Sequence, residues 1–184
     1  MKFKVTFNSP VVLAFIIICF FATILDPNHV FFAARHSSLA NPMTYAGLFT
    51  HIFGHANLGH FIGNASYILL LGPMLEEKYG SSRLITIIAV AALVTGIVHY
   101  ILFWNVTLCG ASGIVFAFIL LTSFTGFKHG EIPLTFILVA LIYIGHEIFN
   151  GLTLNDNISH SAHIVGGLVG AVSGYKLNKK SEIL

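Results

Sequence analysis

The stretch LITIIAVAALVTGIVHYILFW, residues 84–104, decides the fold class. It holds no Asp, Glu, Lys or Arg, and about 20 mostly apolar residues in a helix match a hydrocarbon core of about 30 Å. Five more candidates of this kind flank it, at about 9–25, 57–75, 111–127, 132–149 and 160–176. The second and sixth spans carry histidines and glycines, but these fall at helical spacings rather than in runs. The whole chain of 184 residues is 56% hydrophobic and 9% charged, with a mean hydropathy of +0.87. A soluble domain needs about a quarter of its residues charged, so an ordinary water-soluble fold is excluded. The expectation is an all-α membrane protein, one domain over residues 1–184, built as a bundle of six transmembrane helices.

Lysines and arginines favour the cytoplasmic side of a membrane. Six spans put both termini on one side, together with Lys2, Lys4, Lys78, Arg83, Lys128, Lys176, Lys179 and Lys180; Arg35 alone falls on the other. Both ends are therefore expected in the cytoplasm. Lys2 and Lys4 before an apolar stretch also resemble the start of a signal peptide, but no small-x-small cleavage site stands near Ala22, so the first span is kept. A net charge of +2, with no basic run longer than Lys179-Lys180, gives no footing for nucleic acid. Cys19 and Cys109 lie in or beside apolar runs and make no disulfide framework. The long outer connection, from Asp26 to about Ala56, contains an apolar patch over residues 30–34 that is expected to lie in the interface.

Polar side chains inside membrane helices are costly, so each is a candidate site. Three groups cluster toward outer ends: His51, His55, His60 and Asn64; Cys109 to Gly113; and His160 to His163. From Ser112 to Phe127 the fourth span has 16 residues, about 24 Å as a helix. Fixed at its inner end by Lys128, it starts below the membrane surface, and Gly110 and Gly113 permit the turn that this requires. Ser112 then heads a recessed helix whose free N–H groups can hold an oxyanion. On the sixth span His163, Gly166 and Gly170 share a face, and Gly166-x-x-x-Gly170 allows close approach to Gly113 and Ala117. That packing brings His163 toward Ser112, and serine needs such a base to act as a nucleophile. Taken singly, a serine at a helix start is usually a cap and a glycine face is usually packing; the conjunction points to chemistry.

These residues resemble the rhomboid intramembrane proteases. Gly110-Ala111-Ser112-Gly113 is similar to the family's G-x-S-G motif, and Ala162-His163 with Gly166 and Gly170 to its A-H-x-x-G-x-x-x-G motif. His55, His60 and Asn64 match H-x-x-x-x-H-x-x-x-N, and Gly72, Glu76 and Gly80-Ser81 match the turn after that helix. The resemblance implies a serine endopeptidase that cleaves transmembrane segments, with Ser112 as nucleophile, His163 as general base and no third acidic member. It implies His60, Asn64 and the Ser112 N–H as the oxyanion site, Gly110 shaping the preceding loop, Phe116 packing under His163, and His55 steadying the outer loop. No cofactor or metal is implied; the partners are membrane-protein substrates and the lipid bilayer, and the short architecture fits a bacterial plasma membrane. The sequence departs from many relatives at Ala46-Gly47, where they carry Trp-Arg, and this leaves Glu76 without that partner.

Two rivals stand beside this reading. A non-catalytic relative that binds membrane clients is disfavoured by the presence of both dyad residues. A metal-dependent membrane enzyme is prompted by the ten histidines, but His146-Glu147-Ile148-Phe149-Asn150 lacks the second histidine of H-E-x-x-H. His51 and His55 have no acidic third ligand nearby in sequence. Glu147 itself is left without a role.

Overall fold

The computed structural model describes residues 3, 5–125, 131–153 and 159–180. Over these the chain forms helices α1 (Pro10–Leu25), α2 (Pro42–Thr50), α3 (Leu58–Tyr79), α4 (Ser81–Leu102), α5 (Ser112–Thr122), α6 (Leu134–Thr153) and α7 (His160–Lys180). Six of them coincide with the expected spans to within a few residues at most ends. The seventh, α2, is a short helix inside the outer connection, started by Pro42 and capped by the Asn41 side chain on Met43 N–H. Helices α3, α4 and α6 are long and apolar enough to cross a membrane, whereas α1 and α5 are apolar but shorter. Lys2, Lys4, Lys128 and the expected inner end of the fourth span at residues 126–127 lie outside the described residues.

Helix α5 is the centre of the bundle. It ends at Thr122, earlier than expected, and Ser123 caps it. Gly113, Ile114, Val115, Ala117, Phe118, Ile119, Leu120 and Leu121 are all buried, as a helix apolar all round demands. α7 packs along it most extensively, and α3, α4 and α6 also touch it. A Cβ built on Gly166 would lie 2.1 Å from the Gly113 carbonyl oxygen, and one on Gly170 2.1 Å from that of Ala117. The two backbones are therefore in direct contact, on the faces that the small-residue spacing indicated. At the inner end Asn178 donates to the carbonyls of Phe124 and Gly174, both at 2.9 Å.

Glu76 ties three elements together. Ser9 gives no side-chain cap to α1, and the Glu76 carboxylate replaces it, accepting from Val11 N–H and Val12 N–H at 3.1 Å each. Ser81 Oγ donates to the same carboxylate at 2.7 Å. A buried carboxylate at a helix N-terminus satisfies orphan N–H groups and complements the helix dipole. Between α3 and α4 stands Gly80 alone, at φ +84°, a conformation that favours glycine.

The outer connection is anchored without Trp-Arg. A side chain at Gly47 would meet Ala33 O at 2.5 Å, so this position is a backbone contact. Asp26, past the end of α1, accepts from Val30, Phe31 and Phe32 N–H at 2.8, 2.8 and 2.9 Å. Burial alone would raise its carboxyl, but these three donors outweigh it and hold Asp26 below the usual range. Ala34 and Leu108 form an isolated antiparallel bridge. His36 stacks on Tyr100 and Trp104 at the outer end of α4. The patch at residues 30–34 is thus divided: Val30 and Phe31 are exposed, while Ala33 and Ala34 are buried against the bundle.

Candidate active site

The segment before α5 is held by two histidines from the outer connection. Gly110 N–H donates to His51 O at 2.9 Å, and Ala111 N–H donates to His55 Nε2 at 3.3 Å. As Nε2 accepts, the His55 proton sits on Nδ1, which faces Phe53 O at 3.2 Å. His55 therefore fixes the loop that delivers Ser112. Burial, and then the neighbouring His60, hold His55 down to about 4, so it remains a neutral acceptor at ordinary pH. His51 is likewise held down to about 4 by burial; its Nε2 reaches Thr95 Oγ1 at 3.2 Å and its Nδ1 Gly47 O at 3.1 Å. The two rings serve different partners.

Gly110 adopts φ +133°, and a Cβ there would lie 2.8 Å from His60 Cε1 and 3.8 Å from Asn64 Nδ2. Glycine is required both by its backbone and by the side chains of α3 pressed against it. His60 and Asn64 thus border the loop two residues before Ser112. Asn64 is buried and its Nδ2 has no hydrogen-bond partner among the described residues. An unpaired buried donor is uncommon and marks a place where an acceptor is missing.

Ser112 is the first residue of α5, and His163 lies in the first turn of α7. His163 Nε2 stands 2.8 Å from Ser112 Oγ. The Phe116 ring lies face to face with the imidazole, with centroids 4.5 Å apart and planes 7° apart. The other imidazole nitrogen, Nδ1, lies 2.8 Å from Glu147 Oε2, and His160 Nδ1 approaches the same oxygen at 2.7 Å. An acidic group therefore touches the histidine, a contact that the expectation of a pair with no third acidic member did not include. Glu147 is the residue that sequence reasoning left without a role, and His160 was named there only as a member of the His160 to His163 group. The available signal was that Glu147 is the one acid within the fifth expected span.

Glu147, His160 and His163 also form a group able to hold a metal ion. Donor atoms around a tetrahedral zinc lie about 3.3 Å apart, given metal–ligand bonds of about 2.0–2.1 Å. The observed 2.7 and 2.8 Å are hydrogen-bond lengths. As arranged, one carboxylate oxygen is shared between the two imidazoles. Cys109, beside the loop, has its thiol pushed up by burial, with Arg35 opposing, which leaves it a poor nucleophile.

Comparison with known proteins agrees with this architecture. The model of the rhomboid domain family matches residues 42–180. Rhomboid-related protein 1 of Caenorhabditis elegans is 31% identical over 142 residues, covering 68% of this chain and 38% of its own length. Rhomboid protease GlpG of Salmonella paratyphi A is 30% identical over 131 residues, covering 69% of this chain and 46% of its own. The chain thus spans less than half the length of these relatives. The family match covers α2 through α7, every element that carries the serine, the histidines and Asn64, and so this chain belongs to the rhomboid family of integral membrane proteins.

Proposed function

We propose that the chain is an intramembrane serine endopeptidase that cleaves transmembrane segments of other membrane proteins. The observation that carries this is the 2.8 Å contact between Ser112 Oγ and His163 Nε2, made by two helices whose backbones touch at Gly166 and Gly170. α1 and α3 to α7 are taken as six spans with both termini in the cytoplasm, in a bacterial plasma membrane. The site then opens to the outer side, and a substrate segment that unwinds near its outer end presents a scissile carbonyl; an intact helix would keep that carbonyl hydrogen-bonded.

In the first step the Ser112 hydroxyl proton passes to His163 Nε2 as Oγ attacks the carbonyl carbon. The resulting oxyanion is held by the first N–H groups of α5, which have no acceptor within the helix, and by His60 and Asn64. His163 then gives its proton to the leaving amine, and water releases the acyl group by the reverse sequence. The stacked Phe116 ring keeps the imidazole from turning away.

The test uses purified protein in detergent with a generic transmembrane substrate. Ser112→Ala should abolish cleavage, and labelling by a serine-reactive fluorophosphonate should vanish with it. Cleavage that persists in Ser112→Ala, or that is lost from the wild type on adding a chelator, would refute the serine mechanism. No cleavage by the wild type of any such substrate, with binding retained, would favour a non-catalytic client-binding role.

A further inference from the structure

We infer that Glu147 is a positioning residue for the proposed reaction, fixing the tautomer and orientation of His163 and thereby completing a Ser112–His163–Glu147 chain of contacts. The inference rests on the serine endopeptidase reading and adds to it a member that the two-residue mechanism lacks.

Three observations converge on it. First, Glu147 is the one buried residue of α6, whose other inward residues, Phe136, Val139, Ala140 and Tyr143, are only partly buried against the core. Second, the carboxylate is held from two sides by one oxygen: Oε2 receives His163 Nδ1 at 2.8 Å and His160 Nδ1 at 2.7 Å. His160 thus keeps the acceptor aimed at His163. Third, the nitrogen of His163 on the far side of its ring is the one that meets Ser112. An ionised carboxylate has no proton to give. Beside it, neutral His163 must carry its proton on Nδ1, and this leaves a lone pair on Nε2 directed at the serine hydroxyl. The opposite tautomer would place an N–H against Ser112 and could accept nothing from it.

The proton balance is simple. The Ser112 proton moves to Nε2, and the Nδ1 proton stays on His163, donated to Glu147 throughout. Glu147 itself is never protonated; its charge offsets the imidazolium that forms as Oγ attacks. With only 8% of its side chain exposed, that charge acts across a weakly screening medium. A residue that merely pinned α6 to α7 would not need to reach the nitrogen opposite the nucleophile.

The experiment compares wild type, Glu147→Gln, Glu147→Asp, His160→Gln and Ser112→Ala, each purified in detergent and checked for unfolding temperature. Glu147→Gln should lower kcat by about 10²- to 10⁴-fold, the scale seen when the acid of a serine protease triad loses its charge, with KM changed less than about threefold. Glu147→Asp should recover part of kcat. His160→Gln should cost less than about tenfold, because the contact to His163 survives. Independently of any folding defect in the variants, nitrogen NMR of histidine-labelled wild type should find the His163 proton on Nδ1. A kcat for Glu147→Gln within threefold of wild type, equal losses in Glu147→Gln and His160→Gln, or a proton on Nε2 would each overturn the inference. If Ser112→Ala is inactive while Glu147→Gln is not, only this inference falls; if Ser112→Ala still cleaves, the protease reading falls first.

Discussion

Replacing Gly166 by alanine tests whether backbone contact between α5 and α7 sets the serine–histidine distance. The new Cβ would stand 2.1 Å from Gly113 O, 2.7 Å from its carbonyl carbon and 2.9 Å from its Cα. Carbon and a carbonyl oxygen rest about 3.3 Å apart at closest, so one helix must retreat by about 1.2 Å. The obstacle is backbone and cannot rotate away. Gly113 adjoins Ser112, and Gly166 follows His163 by one helical turn, so the retreat falls almost wholly on the reacting pair. A contact of 2.8 Å would open to about 4 Å, beyond hydrogen-bond reach. A misplacement of about 1 Å costs about 10²-fold in rate, and overpacking of this kind costs about 1–3 kcal/mol of stability. Gly170→Ala creates the same 2.1 Å clash, against Ala117 O, but one turn further from the serine. The stability losses should therefore be similar, and the loss of cleavage distinctly larger at Gly166. Unfolding temperature in detergent and cleavage of a transmembrane substrate read the two effects separately. Gly166→Ala that melts and cleaves like wild type would refute the reasoning.

Two further outcomes are expected. Asn64→Leu should leave stability unchanged or raised, because it removes a buried donor with no partner, yet reduce cleavage by about 10²- to 10³-fold; a destabilised variant that cleaves normally would contradict the oxyanion role. Acid should destabilise the fold through His51: burial holds its ring down to about 4, whereas the unfolded ring takes its proton near pH 6.5. Its contribution is present above pH 6.5 and is lost as pH falls toward 4, by up to about 3 kcal/mol, and His55 acts in the same direction. Unfolding temperatures at pH 7.5 and 5 check this, and His51→Phe should flatten the difference; equal temperatures for the wild type would rule it out.

Much of the bundle was legible because bilayer-length apolar runs and small-residue spacing are local signals. The Gly166 and Gly170 face, four residues apart, already points to close backbone approach, and the contacts at Gly113 and Ala117 follow from it. Ser112 and His163 were legible as a conjunction of motifs on two such helices. Glu147 was not, because its meaning depends on how α6 turns about its own axis. Similarly, Glu76 looked unpartnered because two of its three donors are backbone N–H groups of α1, more than 60 residues away in sequence, and backbone groups leave no mark in a sequence. α2 was hidden because nine residues are too few for a periodic signal.

The brevity of α5 bears on how the protein is made. Eleven helical residues extend about 16 Å, roughly half of a bilayer's oily interior. Alone in lipid, such a segment would leave the peptide groups at its ends facing hydrocarbon, a penalty that only a surrounding ring of protein removes. The last of its neighbours to leave the ribosome is α7, which also brings His163. Secure lodging of the serine helix and arrival of its base are thus one event. On the proposed mechanism, the newborn chain cannot cut the other nascent segments beside it until synthesis has reached that point.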